Sequence, residues 1–157
     1  MASTAEIGLV GDIGATNARF ALVDATGRVG EPRAYRLERH HSIEEMLDDF
    51  LGGVRPRPRA AVLAVAAPML GDQITLTNRA WSFSTAALKQ RFGFARLRVL
   101  NDFAANEMAI PLLGEGECMK VGGGAPADGG AIGVIGPGTG LGVSGLAAGA
   151  GGPAVLE

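Results

Sequence analysis

The chain alternates short apolar runs closed by glycine-rich turns with stretches in which apolar residues recur at helical spacing. Ile7-Gly-Leu-Val10 is an apolar run that ends at the turn residues Gly11 and Asp12. Arg19–Val23 is β-compatible and leads to a second turn at Asp24–Gly27, after which Val29–Leu37 predicts a third strand. The opening reads as an antiparallel meander with a glycine-rich first turn. Ser42 then starts a helix. Ile43, Met46, Leu47, Phe50 and Leu51 fall on one face, Ser42 and Glu45 make a capping box, and Gly52 is the stop. Ala60–Ala67 is apolar throughout and predicts a strand buried on both faces. Pro68 and Gly71 bound a turn before a short strand in Gln73–Leu76. Ser84 to Phe92 predicts a second helix, capped by Ser84 and ended by Gly93. Leu97–Leu100 is a short strand that runs directly into Asn101-Asp102, and a third helix spans about Phe103 to the residue before Pro111. A meander followed by strand-helix-strand-helix predicts an α/β fold with a mixed sheet.

Beyond Pro111 the character changes. Gly114–Gly130 is loop-rich, and Ala131–Ile135 and Gly142–Ala148 predict strands around a glycine turn, a second copy of the opening device. A domain boundary is expected near Pro111. It leaves about 45 residues for the second unit, too few for an independent core, so that unit reads as cut short.

Composition refines this picture without redirecting it. Hydrophobic residues make up 47% and charged residues 19% of 157, a globular balance. The net charge of −2 gives no electrostatic case for a nucleic-acid partner, and Arg55-Pro-Arg57-Pro-Arg59 is too short to supply one. Cys118 is the sole cysteine, so no intramolecular disulfide is available, and with only His40 and His41 beside it no zinc set exists. The first residues lack the basic and apolar regions of a signal peptide. Gly129–Leu156 carries no charge and is long enough to suggest a membrane span. Its eleven glycines, with Pro137 and Pro153, favour turns and short strands instead. The expectation is a soluble, cytoplasmic protein without a membrane partner.

Four segments carry candidate chemistry. Gly11-Asp-Ile-Gly-Ala-Thr-Asn-Ala-Arg19 is suited to converge backbone N–H groups on phosphate oxygens, with Gly14 leaving room and Thr16 and Asn17 adding polar donors. Asp12 is placed to serve Mg²⁺ through water; the same residues would also make a plain hairpin turn. Gly136-Pro-Gly-Thr-Gly-Leu-Gly-Val143 is a second glycine loop, readable as a phosphate site through Gly138, Thr139 and Gly140 or as a flexible turn. No helix signal follows its glycines, which excludes a dinucleotide site, and the Gly-Lys-Ser/Thr ending of a P-loop is absent. Asn101-Asp102 lies at a strand end just before a helix, where Asp102 can cap the helix and also orient an attacking hydroxyl. Phosphoryl transfer tolerates so weak a base, because its transition state is loose. Asn78, in Thr77-Asn-Arg-Ala-Trp81, offers either an Asx turn or a hydrogen bond to a hydroxylated substrate, with Trp81 as a wall.

Taken in order, these segments resemble the bacterial hexokinase-type glucokinases of the actin-like ATPase and sugar kinase superfamily. Val10–Val23 looks like the first phosphate motif, and Ala67-Pro68 with Gly71, Thr77-Asn78 and Trp81 resembles the sugar-side segment. Leu100–Phe103 followed by Met108–Pro111 resembles the catalytic segment, and Gly136–Val143 the second phosphate motif. The resemblance implies an actin-like, ribonuclease H-like α/β domain over residues 1–110 and the start of a similar domain over 111–157. It implies transfer of the γ-phosphoryl of ATP to the 6-hydroxyl of glucose, with ATP and Mg²⁺ as cofactors. Asp102 would be the general base, and Asn101 and Asn78 would bind sugar hydroxyls. Asp12 would serve Mg²⁺ and phosphate, with Gly11, Gly14, Thr16 and Asn17 at the first loop and Gly138, Thr139 and Gly140 at the second. It leaves room for a homodimer of the full-length form. Family members are longer and carry a Glu-Gly-Gly-His sugar motif soon after the second hairpin, whereas this sequence reaches Glu157 without one. The expectation is an N-terminal fragment with little or no activity.

Three other readings compete. An actin- or Hsp70-like ATPase switch shares the two loops but has no use for Asn78 and Asn101-Asp102. A sugar-responsive repressor needs a DNA-binding segment ahead of the first strand, where six residues precede Ile7. A non-catalytic sugar-binding module would not depend on Asp102.

Overall fold

The computed structural model describes residues 7–77, 79–125, 127, 129–137, 141–149 and 152–156. The chain divides into two compact units, Met1–Asp102 and Phe103–Glu157. The division precedes the boundary expected near Pro111, because the helix before that proline packs with the second unit through Phe103.

The first unit is built on a five-stranded sheet in the order β3-β2-β1-β4-β7. Strands β1 (Gly8–Ile13), β2 (Asn17–Val23) and β3 (Arg33–Arg36) form the antiparallel meander. Strands β4 (Ala60–Val65) and β7 (Arg96–Asn101) add in parallel to β1, which makes the sheet mixed. β3 is shorter than expected: Val29 makes only an isolated bridge to Val23, and Pro32, without an N–H, precedes the ladder. A 3-10 turn at Leu37–Arg39 follows.

β1 runs through Gly11-Asp12, where a turn was expected. Gly11 lies between Phe20 of β2 and Leu63 of β4, and a Cβ there would sit 2.7 Å from the Phe20 ring and 2.8 Å from Leu63 Cδ2. Glycine is therefore a packing requirement at that crossing. The turn moves on to Gly14, whose N–H donates to the Asn17 carbonyl at 2.9 Å.

Helices α1 (Ile43–Leu51) and α2 (Thr85–Phe92) form where their spacing and caps predict. Ser42 Oγ accepts from Glu45 N–H at 3.2 Å, while the Glu45 carboxylate accepts from His41 N–H at 2.6 Å, closing the box one residue early. Gly93 ends α2 in the left-handed conformation (φ 69°), as only glycine does cheaply; Gly52, at φ −50°, ends α1 without it. Ile43, Met46, Leu47 and Leu88 join Leu9, Ile13, Phe20, Leu63 and Val65 in one core, each fully buried aliphatic side chain contributing about 1.5–3 kcal/mol. Because both helices feed that face, β4 is not buried on both sides: Ala61, Leu63 and Val65 are buried, but Val62 is 43% exposed. Tyr35 ties β3 to α1 by donating to Asp49 at 2.8 Å. Strands β5 (Gln73–Thr75) and β6 (Ser82–Ser84) pair antiparallel; β6 is too short to have a signature.

The second unit comprises α3 (Asp102–Ala109, from Phe103 on), a 3-10 turn at Ile110–Leu112 around Pro111, and a three-stranded antiparallel sheet. Its strands are β8 (Ile132–Pro137), β9 (Leu141–Gly149) and β10 (Gly152–Leu156), in the order β10-β9-β8. The β8–β9 hairpin repeats the form of β1–β2, as the sequence pattern suggests. The uncharged segment thus forms strands, and among the described residues no helix is long and apolar enough to cross a membrane.

Candidate active site

In the parallel part of the sheet, Asp12 of β1 lies opposite Ala64 of β4, which lies opposite Leu100 of β7; one residue on, Ile13, Val65 and Asn101 align. All three strands therefore end at one edge, the edge at which open α/β sheets bind ligands. The turns leaving it are stitched together. Ala66 N–H donates to the Ile13 carbonyl at 2.9 Å, and Thr77 donates both its N–H (3.4 Å) and its hydroxyl (3.2 Å) to the Ala66 carbonyl. Asn101 Nδ2 donates to the Ala67 carbonyl at 3.1 Å, which holds this side chain against the β4 turn.

β7 passes into α3 without a linker, so Asn101 is the last extended residue and Asp102 the first helical one. Asp102 thus stands inside the first turn rather than at the cap position, where the helix macrodipole favours a carboxylate. Asp12 sits on the sheet face away from the helices. Its side chain is half-exposed and pairs at 3.4 Å with Arg19, its cross-strand partner. An exposed pair of this kind contributes little to stability. Among the described residues no three His, Cys, Asp or Glu side chains converge on a metal position. Asp12 alone fits a Mg²⁺ that arrives on phosphate oxygens and keeps its water, and does not fit a cage made by the protein.

The first loop uses some of its own polar groups. Gly14 N–H is committed to Asn17, and the Thr16 carbonyl accepts from Leu37 N–H at 3.0 Å, while the Thr16 and Asn17 side chains are exposed. Gly11 serves packing. Asn78, Gly138, Thr139 and Gly140 lie outside the described residues. Beside Asn78, the loop is closed by Leu76 N–H on the Trp81 carbonyl at 3.0 Å, and the Arg79 guanidinium stacks 4.9 Å from the Trp81 ring centroid. Sequence reasoning places Arg19 and Thr77 within their segments but gives neither a contact. The register of an uninterrupted hairpin brings Arg19 beside Asp12, but a turn expected at Gly11-Asp12 conceals it.

Known proteins resemble this chain in sequence and in fold. The family model described as Glucokinase matches residues 9–157. A glucokinase of Nitrobacter hamburgensis is 43% identical over 145 residues, which cover 91% of this chain and 45% of that protein. A protein of Burkholderia orbicola named bifunctional protein glk is 45% identical over 139 residues, 88% of this chain and 22% of its own. The crystal structure of a glucokinase from an Antarctic psychrotroph superposes with a TM-score of 0.83 at 37% identity, over 97% of this chain and 49% of that one. The chain therefore spans less than half the length of each of these relatives. The mixed sheet is that of the actin-like ATPase sugar kinases. With the match running from β1 to the last residue, this chain belongs to the glucokinase family.

Proposed function

We propose that this chain supplies the catalytic carboxylate and both phosphate loops of a glucokinase, which transfers the γ-phosphoryl of ATP to the 6-hydroxyl of glucose. The observation that carries the reading is the shared carboxyl edge of β1, β4 and β7, where the Asp12 strand, the Ala66-Ala67 turn and Asn101-Asp102 end in register. Family membership supports reading that edge as the place of phosphoryl transfer.

In this reading Asp102 accepts the proton of the sugar 6-hydroxyl as its oxygen bonds to the γ-phosphorus, and the bond to the β,γ-bridging oxygen breaks to release ADP. The base chiefly orients the hydroxyl. Asn101, steadied by the Ala67 carbonyl, and Asn78 hold other sugar hydroxyls. Thr16 and Asn17, with Gly138, Thr139 and Gly140, would hold phosphate oxygens, and Asp12 would serve Mg²⁺ through water. That ion supplies charge neutralisation on the phosphates. In this reading the protein works in the cytoplasm.

The test is a hybrid in which residues 9–157 replace the matching segment of the Nitrobacter glucokinase, assayed for glucose 6-phosphate. The hybrid phosphorylates glucose, and Asp102→Ala lowers its kcat by about 10²–10⁴-fold with glucose binding retained. The 157-residue chain alone turns over far below about 1 s⁻¹. ATP hydrolysis that is equal with and without glucose and yields no sugar phosphate would overturn the reading.

A further inference from the structure

The glycines flanking the second loop have a use that phosphate binding does not account for. Gly136 and Gly142 face each other across the β8–β9 hairpin. A Cβ on Gly142 would fall 1.9 Å from the Phe103 ring, and one on Gly136 would fall 2.9 Å from it. Carbon atoms do not approach so closely, so the two glycines form a slot, and the ring of Phe103 fills it. Two residues past Gly142, Ser144 is buried and its hydroxyl donates to the Phe103 carbonyl at 3.4 Å. The ring and the carbonyl of one residue are thus held by the strands that lead into and out of residues 138–140.

We propose that Phe103 is a positioning residue for the second phosphate loop, fixing the stem of its hairpin on the first turn of α3. A stem with glycine on both strands has no side chains there to resist sliding or twisting. An aromatic ring laid over paired glycines restores that resistance. The consequence for phosphate rests on the reading that residues 138–140 hold the nucleotide, whereas the slot itself does not. A loop shifted by an ångström holds phosphate poorly, since misplacement on that scale weighs heavily in catalysis.

Two measurements on the 157-residue chain test the slot. The ring displaces the Hα resonances of Gly136 and Gly142 from their unstructured-chain positions, and Phe103→Leu abolishes the displacement. Gly142→Ala lowers Tm by about 4 °C or more, and by much less in the Phe103→Leu background, because the ring it collides with is gone. Unshifted glycine resonances, or strictly additive effects of the two substitutions, would overturn the proposal. In the Nitrobacter hybrid, Phe103→Leu raises the ATP KM about tenfold and leaves the glucose KM unchanged. A change in the glucose KM alone would remove the role in positioning the loop. A hybrid inactive before any substitution counts against the glucokinase reading, and the resonances and the double-substitution cycle then decide whether Phe103 holds the hairpin.

Discussion

Gly11 occupies a point where three strands meet, with the Phe20 ring on one side and Leu63 on the other. Both neighbours are fully buried, so neither can withdraw from a new methyl group without disturbing the core. Gly11→Ala is therefore expected to destabilise the chain by about 1–3 kcal/mol, the usual cost of overpacking, measured as a lower urea midpoint with an unchanged slope. An unchanged midpoint would mean that the crossing has slack. The position shows where residue-level reading succeeds and where it stops. The glycine, the aspartate and the run Gly14–Asn17 mark the segment as unusual from composition alone. Their division between packing and turn depends on a phenylalanine nine residues on and a leucine fifty-two residues on. No local pattern encodes that contact. The same blindness hid the Asp12–Arg19 pair, which follows from register, and left Asn101 without its anchor at Ala67.

At the scale of elements, the helices were the legible part, because their signals are local. The spacing of α1 and the Ser42, Ser84 and Gly93 caps agree with the structure, whereas the short strands β6 and β10 had no signal long enough to read. Less visible is Asp72, which reaches α2 from twelve residues before its cap. Its carboxylate accepts from the hydroxyls of Ser84 and Thr85 and from Ala86 N–H at 2.8 Å. The Ser84 hydrogen bond, then that of Thr85, holds this carboxyl below its ordinary value of 3.8. A depressed carboxylate stabilises the fold above its unfolded pKa, and the contribution fades as pH falls below about 3.8 towards the folded value. Asp72→Asn should therefore lower Tm at neutral pH and flatten the fall in Tm as pH drops below about 3.8. A parallel acid limb in wild type and variant would show that the hydroxyls do not favour the ionised form.

For the whole molecule, the distribution of buried apolar residues is more informative than its amount. Every member of the main core lies between Leu9 and Phe94, within the first unit. In the second unit, buried side chains among the described residues are Ala104, Glu107, Ser144 and Leu146, and both Glu107 carboxylate oxygens lack a hydrogen-bond partner. Ile135, Leu141 and Val143 are meanwhile well exposed. A buried carboxylate without a donor costs free energy, and the described residues of this unit bury few apolar side chains to set against the entropy of ordering it. The order of elements was readable because glycine and proline punctuate it, but the strand order β3-β2-β1-β4-β7 comes from contacts distant in sequence. That contrast sets the expectation for each unit in isolation. A polypeptide of residues 1–102 should unfold cooperatively in urea, with coincident fluorescence and circular-dichroism transitions. Residues 103–157 alone should show no such transition, and exchange their amide hydrogens at rates near those of an unfolded chain. Protected amides in the β8–β9 hairpin of the isolated second unit would overturn this, and would mean that Phe103 in its glycine slot is enough to organise the hairpin.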